Sequence, residues 1–151
     1  LQNPPEDYLL AECEHDTKFN IRFAKALPQL TVDNVTSEKV SEDVYKVSAV
    51  IGNLGYLPTH LTDEAINLHT AVEVEVSIDK DVVEGHSVKK VGHLSGYSRT
   101  ATGAIYGNLT TYASAKAKNK VTWIIKAHQG ETVTVSASQE KAGSCTATIT
   151  L

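Results

Sequence analysis

VTWIIKAHQGETVTVSASQEKAGSCTATITL, residues 121–151, is the stretch that decides the fold. Val121, Trp123, Ile125 and Ala127 share one phase. Val133, Val135 and Ala137 repeat it against Thr132, Thr134, Ser136 and Ser138. Cys145, Ala147, Ile149 and Leu151 do so again against Ser144, Thr146, Thr148 and Thr150. Successive side chains of a strand point to opposite faces, so a period of two predicts strands with one dry and one wet face. Such strands belong to antiparallel sheets packed face to face. Two short polar breaks interrupt the run, His128-Gln129-Gly130-Glu131 and Lys141-Ala142-Gly143, and each is expected to be a hairpin turn.

Working back along the chain, the same pattern recurs. Tyr45, Val47, Ala49 and Ile51 alternate with Lys46 and Ser48, and Val72, Val74, Val76 and Ile78 with Glu73, Glu75 and Ser77. Short strands separated by frequent turns predict a sandwich. Leu61 to His69 is expected to form a short helix, with Thr62 as N-cap and Asp63 and Glu64 in its first turn. Before Leu30 the period is helical instead. Leu10, Cys13, Thr17, Ile21, Ala24 and Leu27 make one apolar stripe, and Phe19 and Phe23 a second line. One amphipathic helix is expected over 3–27, capped at Asn3 with Glu6 three residues on, and stopped by Pro28. Two apolar lines are more than the edge of one small sandwich needs for cover.

The chain has 151 residues, enough for one domain or one small domain with an appended helix. Hydrophobic residues at 41% supply a core, and 21% charged residues argue against general disorder. A formal charge of −4, with no basic stripe, argues against a nucleic-acid partner. No apolar run approaches the roughly 20 residues of a membrane span, and no signal peptide is visible. Cys13 and Cys145 sit at apolar-phase positions far apart in the chain. Two cysteines make no disulfide framework; buried free thiols are expected, with a Cys13–Cys145 bridge left open.

Signals for chemistry are sparse. His128 and Glu131 have the His-x-x-Glu spacing that opens a zinc signature. Zinc catalysis needs three protein ligands and an open position, and no histidine follows His128. The pair therefore reads as part of a turn. His60 with Asp63, Glu64 or His69 could share a helix face, without a matched third ligand. Glu73/Glu75 and Asp79/Asp81, two apart, read as solvated strand faces rather than acid–base pairs or calcium ligands. There is no Gly-x-Ser-x-Gly elbow. Trp123, in phase with Val121 and Ile125, is expected in the core. Residues 95–119 are rich in Gly, Ser, Thr, Ala and Asn, with Tyr97, Tyr106 and Tyr112 scattered among them. A connection so long without periodicity is expected to be functional or mobile.

The most specific segment is Gly52-Asn53-Leu54-Gly55-Tyr56-Leu57-Pro58-Thr59. It reads as a strand end followed by a shaped turn, in which Asn53 and Gly55 suit positive φ and Pro58 stiffens the exit. With Gly92-His93-Leu94-Ser95-Gly96, Val121-Thr122-Trp123-Ile124-Ile125-Lys126 and the Asn3-Pro4-Pro5 opening, it resembles the C-terminal extension of bacterial zinc carboxypeptidases (metallocarboxypeptidases). The resemblance covers most of the chain except a stretch near 97–119. It implies a mainly β fold, an antiparallel immunoglobulin-like β-sandwich over 29–151, with a leading amphipathic α-helix over 1–28 that ends an upstream catalytic domain. It also implies a structural role for His93 in a turn. None of the family's zinc ligands, its substrate-binding arginine or its catalytic glutamate maps onto this chain.

The resulting expectation is a non-catalytic accessory domain of a periplasmic or secreted zinc carboxypeptidase-like protein. It binds no cofactor itself, zinc belonging to the catalytic domain, and its partner is that upstream domain of the same polypeptide. The alternative is a binding module presenting the 95–119 loop to a glycan or protein. A free-standing enzyme is the third reading. Bracing predicts an exposed apolar stripe at Phe19 and Phe23, and a binding module a tyrosine-lined concavity at 95–119. An enzyme predicts a pocket with perturbed titratable groups.

Overall fold

The computed structural model describes residues 4–96 and 117–151. Helix α1 (Glu6–Ala24) leads into strands β1 (Leu30–Ser41) and β2 (Val44–Asn53), then the short helix α2 (Asp63–Asn67). Strands β3 (Glu75–Ile78), β4 (Val88–Lys90), β5 (Lys118–Lys126), β6 (Thr132–Gln139) and β7 (Gly143–Thr150) follow. They form two antiparallel sheets, ordered β1-β2-β5 and β4-β3-β6-β7. The pairs β1–β2, β3–β4 and β6–β7 are hairpins, while the chain changes sheet between β2 and β3, β4 and β5, and β5 and β6. This is an immunoglobulin-like arrangement in which the fourth strand pairs with the third.

The inner faces carry the phase seen in the sequence. Val47, Ala49, Ile51, Val121, Trp123 and Ile125 from one sheet meet Val76, Ile78, Val133, Val135 and Ala137 from the other, all buried. The valine and isoleucine side chains among them each contribute roughly 1.5–3 kcal/mol when fully buried. Lys89 crosses the top of the core, its Nζ 5.5 Å from the Trp123 ring centroid and 2.6 Å from the Thr122 carbonyl.

Among the strands, three features differ from expectation. His128–Glu131 is a crossing between sheets and not a hairpin, because β5 pairs with β2 whereas β6 pairs with β3 and β7. Periodicity shows that two strands flank a turn, not whether their hydrogen bonds face each other. Gly130 N–H donates to the Leu151 carbonyl and Leu151 N–H to that of Glu131, so the turn is tied to the last residue of the chain. Next, the ladder of β3 begins at Glu75, and Val72 is exposed. The Val72 carbonyl instead accepts from Gln139 Nε2. Finally, β5 starts at Lys118, inside the stretch expected to be irregular.

Helix α1 is shorter than its pattern. Pro5 holds the N-cap position without a side-chain cap, and Asn3 lies outside the described residues. The last α-turn closes at Ala24, and Ala26 and Leu27 N–H bond three residues back, to Phe23 and Ala24. Pro28 has no N–H to continue the ladder, and the Ala26 carbonyl at the helix exit accepts from Leu57 N–H of the sandwich. None of the residues of α1 is buried.

Helix α2 starts where its cap predicts. Thr62 Oγ1 accepts from Ala65 N–H at 3.3 Å. Thr62→Ala is expected to cost about 0.5–1 kcal/mol, read as a small fall in the urea midpoint with an unchanged slope.

Candidate functional site

The structure gathers the motifs at one end of the sandwich, around the helix exit. Asn53 closes β2 and is 6% exposed. Its Oδ1 accepts from Gln29 N–H and Gly55 N–H, both at 2.9 Å, and its Nδ2 donates to the Leu57 carbonyl at 2.9 Å. Leu54 N–H donates to the Gln29 carbonyl, and Leu57 N–H to that of Ala26. One side chain thus organises its own turn and ties it to residues 26–29. Gly55 lies flat on that segment: a Cβ there would stand 2.3 Å from the Leu27 carbonyl oxygen and 2.5 Å from Pro28 Cα.

The second motif closes over the first. Thr59 is fully buried; its N–H donates to the Leu94 carbonyl and its Oγ1 accepts from Leu94 N–H, each at 2.9 Å. Gly96 abuts the same turn, where a Cβ would lie 2.3 Å from the Tyr56 carbonyl oxygen. Gln139 Nε2, from the end of β6, reaches the Thr59 carbonyl at 3.2 Å. Residues 52–59, 92–96 and 25–29 therefore form one clamp that fixes where α1 leaves the sandwich. Neither Asn53 nor Gly55 has positive φ, contrary to the sequence expectation. Asparagine is there for its three hydrogen bonds, and glycine for a close approach to a carbonyl. Pro58 follows the turn, its carbonyl accepting from Leu61 N–H.

His93, next to Leu94, packs its ring edge-on to His60, with centroids 5.3 Å apart. Its Nδ1 is buried with no hydrogen-bond partner. Burial first, then the neighbouring His60, pushes the His93 imidazole below its ordinary value, against an upward pull from Glu73.

The remaining candidates are dispersed. His128 Nδ1 bonds Asp43 Oδ1 at 2.9 Å, while Glu131 pairs with Lys80 at 2.7 Å. These contacts raise the His128 imidazole, through its hydrogen bond to Asp43, and hold the Glu131 carboxyl down through its bond to Lys80. The two side chains of the His-x-x-Glu spacing thus serve different neighbours. Asp79 Oδ1 caps Thr134 N–H at 2.8 Å, and Asp81 lends its backbone carbonyl to Lys126 N–H. Among the described residues no group of three or more His, Cys, Asp and Glu could hold a metal.

Both cysteines are free. Cys13 is exposed on α1, contrary to the expected buried thiol, as no residue of that helix is buried; Cys145 is half-buried. Trp123 is 1% exposed, between the sheets. Phe19 and Phe23 stack on each other on the open helix, centroids 6.3 Å apart, and both stand in solvent. Tyr97, Tyr106 and Tyr112 lie outside the described residues.

A cleft of about 360 Å³ runs between residues 59–62, 70–72 and 139–141. Gln139 lines it, but its amide is committed: Nε2 to Thr59 and Val72, Oε1 to the N–H groups of Lys141 and Ala142. Sequence reasoning missed Gln139, Thr59 and Gly96 as parts of the clamp. Thr59 and Gly96 lie inside the quoted motifs and were within reach; Gln139 stands alone at a strand end and carries no local signal.

A family model described as a domain of unknown function, DUF8731, matches residues 29–150. No curated protein matches the chain. Among solved structures, the chain is similar to the CARDB domain of a Pyrococcus furiosus protein in complex with di-metal ions. That likeness has 13% identity over 82% of this chain and 88% of the other, with a TM-score of 0.38. It is also similar to a GH3 beta-glucosidase from Bifidobacterium adolescentis, at 15% identity over 82% of this chain and 17% of that one, with a TM-score of 0.32. Neither likeness bears on what the chain does. With most of its length matched, from Gln29 to the end of β7, the chain belongs to the DUF8731 family.

Proposed function

We propose that this chain is a non-catalytic accessory domain, whose sandwich holds α1 in a fixed attitude for docking against a larger partner. One observation carries the reading. Helix α1 exposes Leu10, Phe19, Ile21 and Phe23 at 54–74% and buries nothing, yet its exit is clamped by five hydrogen bonds and two close glycine approaches. A helix of this length is marginal alone in water and draws its stability from packing an apolar face. Exposed Leu27, Leu54 and Tyr56 extend the apolar surface from the helix onto the clamp.

The motif resemblance names the partner: the catalytic domain of a zinc carboxypeptidase-like protein, upstream in the same polypeptide, in the periplasm or outside the cell. Zinc and the peptide-cleaving residues belong to that domain. The family match, which starts at Gln29 and leaves α1 out, supports a helix allied with something other than the sandwich. Among the described residues no helix is long and apolar enough to cross a membrane.

The test is carboxypeptidase activity, with and without zinc, of this chain and of the polypeptide extended upstream. Activity confined to the longer form supports the reading, and activity of residues 1–151 alone overturns it. The docking face has its own prediction. Phe19→Ser with Phe23→Ser should leave the isolated chain within about 0.5 kcal/mol of wild type, as exposed positions do. In the extended polypeptide the same pair should cost more than 1 kcal/mol, as aromatic anchors at an interface do. Urea unfolding of both forms checks it.

A further inference from the structure

We propose that His93, edge-on to His60, makes the clamp acid-sensitive: proton uptake by the His93 imidazole parts residues 52–62 from 92–96 and frees the helix exit. This rests on the accessory reading only for its consequence, the loss of a fixed attitude for α1.

The geometry places the pair at the one seam where the two motif segments meet. His60 follows Thr59 and His93 precedes Leu94, and Thr59 and Leu94 exchange the two hydrogen bonds that close the seam. The rings stand edge to face at 5.3 Å. That contact suits neutral imidazoles, since like charges within about 4–6 Å disfavour each other. His93 Nδ1 is buried without an acceptor, so a proton placed there has nothing to donate to.

Among the described residues the charged groups facing His93 are His60, across the seam, and Glu73, on the segment whose neighbour Val74 pairs with Gly92. Glu73 favours the charged ring, while burial and His60 outweigh it and hold the imidazole below its ordinary 6.5. A base whose value is depressed in the closed state takes its proton more readily when open. Its contribution to closure is therefore complete above pH 6.5 and is lost as pH falls below that value.

Closing depends on the open state being reached locally. The seam holds by few bonds at the end of the sandwich, whereas Val47, Trp123 and Val135 lie fully within the core. Sites of this kind open below the global unfolding free energy.

Amide hydrogen exchange on the isolated chain, read residue by residue by NMR and corrected for intrinsic rates, tests the proposal. Between about pH 7.5 and 5.5, protection of the Thr59, Leu94 and Leu57 amides should fall severalfold, up to the roughly tenfold limit that an ordinary imidazole in the open state sets one pH unit below 6.5. The amides of Val47 and Val135 should keep theirs. His93→Phe retains a ring against His60 and should abolish the step; His60→Phe should reduce it, and is read alone if the first variant does not fold. The proposal is overturned if clamp and core amides lose protection together, or if the step survives in the variants. The readout needs no partner domain, so its failure leaves the accessory reading standing, and that reading is tested separately by the activity comparison.

Discussion

Replacing Asn53 with alanine is expected to cost the chain about 3–5 kcal/mol. The substitution removes one small amide, so lost packing contributes little. The cost comes from what the amide leaves behind. Gln29 N–H, Gly55 N–H and the Leu57 carbonyl lose their partner together, at a site where Asn53 is 6% exposed. Each buried polar group left unsatisfied costs about 1–3 kcal/mol, and the total falls below the sum because water reaches some of them once the turn relaxes. A domain of this size has about 5–15 kcal/mol in all, so the variant should fold only marginally. Urea unfolding followed through Trp123 fluorescence measures it. Asn67→Ala, at an exposed asparagine on α2 with one long contact to Glu64, is the control and should change stability by less than about 0.5 kcal/mol. Equal losses at the two positions would show that Asn53 is an ordinary turn asparagine.

The contrast between these asparagines shows what was legible in the sequence. Alternation along 121–151 gave strand phase directly, because burying one face of a strand imposes a period of two on the residues that fill it. The buried residues run Val121, Trp123, Ile125, Val133, Val135, Ala137 as that period requires. The Gly52–Thr59 motif was visible as special, but its reason was not. Composition suggested positive φ, whereas the structure uses Asn53 for its amide and Gly55 for its missing Cβ. Both depend on residues 26–29, which lie more than twenty positions away in the chain. Helical spacing continues to Leu27, but Ala26 and Leu27 N–H bond only three residues back and Pro28 brings no N–H to extend the ladder. Sheet membership of β5 and β6 was equally hidden, since alternation is the same whichever neighbour a strand bonds. Local pattern fixes phase, and long-range hydrogen bonds decide where elements stop and what they join.

Gly55→Ala should cost about 2–4 kcal/mol, through overlap rather than through lost bonds. The new methyl would sit 2.3 Å from the Leu27 carbonyl oxygen, 2.5 Å from Pro28 Cα and 2.9 Å from Gln29 N. All three are backbone atoms, so no side-chain rotation relieves the contact and residues 27–29 must move as a unit. That movement draws Gln29 N–H away from Asn53 Oδ1 and the Ala26 carbonyl away from Leu57 N–H. The comparison is Gly85→Ala, at φ +89 with nothing within 4 Å of the added carbon; only backbone strain applies there, about 1 kcal/mol. A double-mutant cycle then tests whether the clamp is one unit. Asn53→Ala and Gly55→Ala each release residues 26–29, so the second should find much of its cost already incurred. Their combined loss should fall short of the sum by at least about 1 kcal/mol, as for residues sharing one network. Strict additivity would mean that the turn and the helix exit are held independently. In that case the sandwich would have no single device for setting the attitude of α1, and the bracing role would lose its structural basis.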